Sequence, residues 1–201
     1  MGTKIRLSQQ ELELVLNSDW ILKKNAILVK AKKLLETISV EMQTELNPLK
    51  TIIPLEVLNI SPKISKGENY QGLPYLVLDF PRFFDKENIF AIRIFFWWGN
   101  FFSITMQLSG IYKQQYIEKL QLSFPALQKN NFSVCISDDP WEHHFEKSNY
   151  ASIQSLSEIE FRKLISNSPF IKIAKRFPLQ QWNEVEENLL LNFKFLIEIL
   201  N

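Results

Sequence analysis

The chain has 201 residues, within the usual size of one domain (about 100–200 residues) and long enough to bury a core without disulfide or metal staples. Its 46% hydrophobic and 22% charged residues exclude a disordered or collagen-like chain, and a formal net charge of +1 gives no overall pull towards nucleic acid or an anionic membrane. A single cysteine, Cys135, excludes an intrachain disulfide and an all-cysteine zinc site and points to a reducing compartment.

Met1-Gly2-Thr3-Lys4-Ile5-Arg6 runs into polar Ser8-Gln9-Gln10 with no apolar signal core. Arg6 stands where a myristoylation motif wants Ser or Thr, so a cytoplasmic location is expected. Ser8-Gln9-Gln10-Glu11 has the form of a capping box and predicts a short helix over 9–17. From Trp20 to Leu46, Ile27, Ala31, Leu34, Leu35, Ile38 and Met42 fall on one stripe of a long helix of roughly 40 Å. Lys23, Lys24, Lys30, Lys32 and Lys33 spread around that stripe as a solvated rim. Pro48 and Pro54 stop helical structure, so 51–59 reads as an edge strand and 59–73 as loop.

Leu73 to Phe80 reads as a strand ended by Pro81. Two β-prone runs, 89–98 and 101–108, flank Gly99-Asn100, which fits a two-residue hairpin turn. That register sets Trp97 opposite Phe102. Arg93 then shares a face with Ala91, Phe95 and Trp97, and the other face brings Phe96 and Trp98 beside Ser103, Thr105 and Gln107. The same stretch is of membrane length, but its breaks and period-two pattern fit a hairpin better than a membrane span. A helix over 111–124, a strand over 132–136, a helix from Ser155 to about Ser166, a strand over 170–177 and a helix over 179–200 complete the chain. No repeat or linker divides it, so 1–201 is expected to be a single α+β domain: an antiparallel sheet, with its meander around 73–109, under the long N- and C-terminal helices.

Three places carry chemistry. Asp138, Asp139, Glu142, His143 and His144 are the densest group of functional residue types and hold both histidines. The competing structural account is a helix start, with Asp139 as N-cap, Pro140 at the first position and Glu142 closing a capping box. Adjacent histidines diverge by about 100° on a helix, which does not suit a metal pair, and no metal site or cofactor is expected. Cys135 alternates with Phe132, Val134 and Ile136 and reads as an inert, half-buried thiol. Arg93, alone among apolar strand residues, must find an acid such as Asp79 or Glu56, or else bind an anion. Phosphate-cradling glycine loops and G-x-S-x-G are absent.

The sequence therefore favours a non-enzymatic binding protein with an aromatic-lined pocket or surface for a small molecule or a protein, using Arg93, Phe96, Trp98, Ser103, Thr105 and Gln107. The alternative is a small hydrolase or transferase in which His143 or His144 works with Asp138 or Glu142. Neither a nucleic-acid nor a membrane partner is expected. Leu191, Phe195 and Ile199 lie off the main stripe of the last helix and suggest a homodimer through it, unless the chain itself covers them.

Overall fold

A computed structural model describes residues 4–47 and 51–201; Met1, Gly2, Thr3 and Pro48, read above, lie outside them. The capping box at Ser8 and Glu11 forms and opens α1 (Gln9–Leu16), and Asn17 then caps α2 (Ser18–Leu46) through Trp20 N–H. None of α1 is buried, and burial along α2 begins at Ala31 and continues through Leu35, Ile38, Met42 and Leu46. The region read as an edge strand is instead a turn and the one-turn helix α3 (Leu55–Leu58). The edge strand is β1 (Lys63–Tyr70), in the stretch read as loop; its sequence, KISKGENY, has too few apolar residues to alternate visibly.

β2 (Leu73–Phe84), β3 (Ile89–Trp97), β4 (Phe101–Ser109), β5 (Ser133–Cys135), β6 (Tyr150–Ser152) and β7 (Phe170–Pro178) join β1 in one antiparallel sheet, ordered β1-β2-β3-β4-β7-β5-β6. β2 runs on past Pro81 because a bulge between Asp79 and Arg82 accommodates the residue that has no N–H. The hairpin forms, but its loop has three residues: Asn100 N–H bonds Trp97 O at 3.1 Å, Gly99 takes φ +73°, and Trp97 pairs with Phe101. One residue of register moves every side chain of β4 to the opposite face. Ser103, Thr105 and Gln107 therefore lie beside Phe95, Arg93 and Ala91, not beside Phe96 and Trp98.

Helices cover one face only. α2 packs on β2, α7 (Val185–Glu198) packs on β4, and α4 (Gly110–Leu122) packs across β3, β4 and β7. This is the α+β layering expected from the sequence, with both long helices on the sheet. α5 (Phe124–Lys129) and α6 (Glu158–Asn167) close the ends; α6 is capped by a box of Ser157 with Glu160 and so starts later than the Ser155 read from the sequence. The main core lies between these helices and Leu78, Phe90, Ile94, Phe96, Ile104 and Ile173. Of the row on α7, Phe195 stacks on Phe132 at 5.3 Å, Ile199 packs against the core, and Leu191 is exposed. Among the described residues, no helix is long and apolar enough to cross a membrane.

Candidate ligand-binding site

The sheet face turned away from the helices is covered by irregular chain, residues 136–149, and it carries most of the buried polar side chains. Register aligns Lys63, Asp79, Arg93, Thr105 and Ala174 in one row across five strands. Arg93 meets Asp79 with two parallel bonds, Nε to Oδ1 at 2.7 Å and Nη2 to Oδ2 at 3.0 Å, so the acid named from sequence is its partner. Both side chains are about nine-tenths buried. A two-bond pair of this kind fixes the guanidinium plane. Phe84 and Trp141 lie together on one side of the guanidinium, with ring centroids 5.9 and 5.7 Å from its carbon.

The chain over this face forms no helix, which corrects the capping account of Asp139, Pro140 and Glu142. Asp139 accepts only the N–H of Trp141, at 2.8 Å, as a local turn. Glu142 turns to Tyr70 and His144: its carboxylate accepts from the Tyr70 hydroxyl at 3.2 Å and pairs with His144 Nε2 at 3.0 Å. Tyr70 Oη in turn accepts the N–H groups of His143 and His144 at 2.7 and 3.0 Å. Burial, more than the neighbouring carboxylate, pushes the Tyr70 hydroxyl up from its ordinary range. Lys172, only 1% exposed, holds the segment from below by donating to the carbonyls of Pro140 (3.0 Å) and Glu142. Desolvation pulls its ammonium down to about 8.

His143 packs on Tyr70 and Phe95, and its Nε2 lies 3.2 Å from Arg93 Nη1. A guanidinium can only donate, so Nε2 is the acceptor and the ring's own proton sits on Nδ1. Burial first, then the charges of Arg93 and Lys172, hold the imidazole well below its usual range, so it is neutral. His144 donates to Glu142, and its Nδ1 accepts Glu146 N–H at 3.3 Å. Asp138 lies exposed at the rim.

Between β1, β2, β3 and residues 141–143 lies a pocket of about 460 Å³. Its walls are Tyr70, Tyr75, Phe84 and Trp141, and its polar groups come from Lys63, Ser65, Asp79, Arg82, Arg93 and His143. Gly67 shapes one wall, because a Cβ there would collide with the Tyr75 ring. Of the residues predicted for a ligand, only Arg93 lines this pocket. Ser103, Thr105 and Gln107 share its face but are buried under residues 136–149, and Gln107 Nε2 has no hydrogen-bond partner among the described residues. Phe96 and Trp98 point to the helices, where Phe96 is core and Trp98 meets Trp20 edge-on at 6.4 Å. His143 lines the pocket; His144, Glu142 and Asp138 do not.

Lys63, Tyr70, Tyr75, Arg82, Trp141 and Lys172 were not anticipated from the sequence. Lys172 had a signal of the same kind as Arg93: a lone charge among Phe170, Ile171, Ile173 and Ala174. Cys135 is buried with its thiol 3.4 Å from Asn149 Oδ1, and burial pushes that thiol up, away from nucleophilic character. No group of three His, Cys, Asp or Glu able to hold a metal ion occurs among the described residues. No family model matches the chain, and neither does any curated protein or solved structure compared with it.

Proposed function

We propose that this protein is a non-enzymatic binding protein that takes a small molecule into the pocket between β1–β3 and residues 141–143. The carrying observation is Arg93: a nearly buried guanidinium, fixed by Asp79 and two aromatic rings, that still has a face on a pocket of about 460 Å³. Small-molecule sites have this make-up: a volume of about 300–1,000 Å³, mainly apolar walls, and a few polar groups held in place beforehand.

Catalysis has less support. The lone pair of His143 Nε2 is engaged by Arg93, and both ring nitrogens of His144 are engaged by its own segment. The hydrolase or transferase alternative needs one of these rings to be free for a reacting proton. A thermal-shift screen of small polar and aromatic compounds, run on the wild type and on Trp141→Ala, tests the reading. Hits that raise the wild-type melting temperature and lose that effect in Trp141→Ala are expected. Hits that stabilise both proteins equally would place binding elsewhere and remove the proposal.

A further inference from the structure

We infer that the ligand of this pocket is an organic anion, a carboxylate or phosphate group carried on a flat body; this rests on the binding reading above. Lys63, Arg82 and Arg93 bring three positive charges to the pocket against the single carboxylate of Asp79, and His143 adds none because its Nε2 accepts from Arg93. The whole chain carries only +1, so an excess of two in this pocket is a local concentration.

The excess is also unspent. Asp79 is taken up by Arg93, and neither Lys63 nor Arg82 has a carboxylate within ion-pair distance among the described residues. Arg82 is anchored by its Nε to Ser61 O at 2.9 Å, which leaves its two terminal amino groups for another acceptor. Arg93 uses three of its five N–H groups, two on Asp79 and one on His143, and keeps two. A cation would meet three like charges here. A neutral ligand would leave the cations unpaired as it displaced their water.

The walls define the rest of the ligand. Phe84 and Trp141 lie 6.2 Å apart at an interplanar angle of 37°, and Tyr70 and Tyr75, which also line the pocket, lie 6.1 Å apart edge-on. A planar body offers these rings the offset contacts that aromatic faces favour, while its anionic end reaches the cations.

Calorimetric titration of the intact chain with four probes of one shape separates the possibilities: phenyl phosphate, benzoate, neutral benzamide and cationic benzamidine. The wild type is expected to bind phenyl phosphate and benzoate saturably and to bind the other two at least about tenfold more weakly. Lys63→Gln combined with Arg82→Gln is expected to weaken the two anions about tenfold or more and to leave the melting temperature nearly unchanged. Lys63→Glu alone, at an exposed position, is a second variant in the same direction. Benzamide binding as well as benzoate, with loss of both in Trp141→Ala, would overturn the anion and keep the pocket. Inorganic phosphate binding as tightly as phenyl phosphate would overturn the flat body. No binding of any probe would overturn this inference, and the screen with Trp141→Ala then judges the pocket separately.

Discussion

Arg93 organises the polar face, and its energetics depend on Asp79. Asp79→Asn leaves a buried guanidinium without its counter-charge and is expected to cost about 3–5 kcal/mol in urea melts. Replacing both residues by Leu is expected to recover most of that loss, because the desolvation of two charges disappears with them. A cost below about 1 kcal/mol for Asp79→Asn would show that the pair is solvated. His143 sets a pH dependence. Its folded form is held neutral, so as pH falls through about 6.5 the unfolded chain takes up a proton that the folded chain refuses. Stability from this residue is therefore fully present above about pH 6.5 and declines on acidification, by up to about 1.4 kcal/mol per pH unit. His143→Gln keeps an acceptor for Arg93 and is expected to flatten the slope between pH 6.5 and 5; an unchanged slope would assign it to other groups. The Arg93–Asp79 pair was legible in the sequence because a lone charge in an apolar strand has few means of satisfaction. Its neighbour His143 was not, since 50 residues of chain separate the two and an irregular segment brings them together.

The hairpin shows how a single residue decides what an element means. Gly99-Asn100 correctly marked the turn, but counting two loop residues instead of three exchanged the faces of β4. Arg93 thereby appeared to stand among hydrophobic neighbours only, and Ser103, Thr105 and Gln107 appeared beside Phe96. Gly99 holds the turn by its backbone alone, since a Cβ there would meet nothing within 4 Å. Gly99→Ala is expected to cost about 1–2 kcal/mol, the penalty of a side chain in the left-handed region, and a neutral result would mean that the turn relaxes. On the next strand position, Trp97 is buried against Tyr70 and Phe101 and bonds Tyr70 O at 3.2 Å. Trp97→Ala is expected to cost about 3–5 kcal/mol by opening a cavity beside the pocket, and a loss below about 1 kcal/mol would contradict its burial. The helices read more easily than the edge strand. α2 and α7 carry a 3.6-residue stripe over many turns, whereas β1 is polar and stands at the rim, where pairing is decided by the backbone of β2.

For the molecule as a whole, the α+β class and the helical layer followed from the pattern of elements, but the covering of the second face did not. Residues 136–149 have no periodicity, and they cover the polar face through side chains from three strands: Tyr70, Lys172 and Arg93. The surface follows the same division. Exposed apolar side chains gather on α1 and the first half of α2, at Leu12, Leu14, Val15, Trp20, Ile21 and Leu22, whereas α7 exposes only Leu191 of its outer row. Leu191→Glu is therefore expected to leave both melting temperature and sedimentation unchanged, and a shift to a smaller species would place a two-fold contact on α7. The proposal is that a small molecule enters the polar face at the pocket between β1–β3 and residues 141–143. It is tested most directly by titrating phenyl phosphate into the isotopically labelled protein and following amide, Arg93 Nε–H and indole signals. Saturable shifts concentrated at Lys63, Ser65, Arg82, Arg93, Trp141 and His143 are predicted; shifts confined to other surfaces, or none at saturating probe, would contradict it.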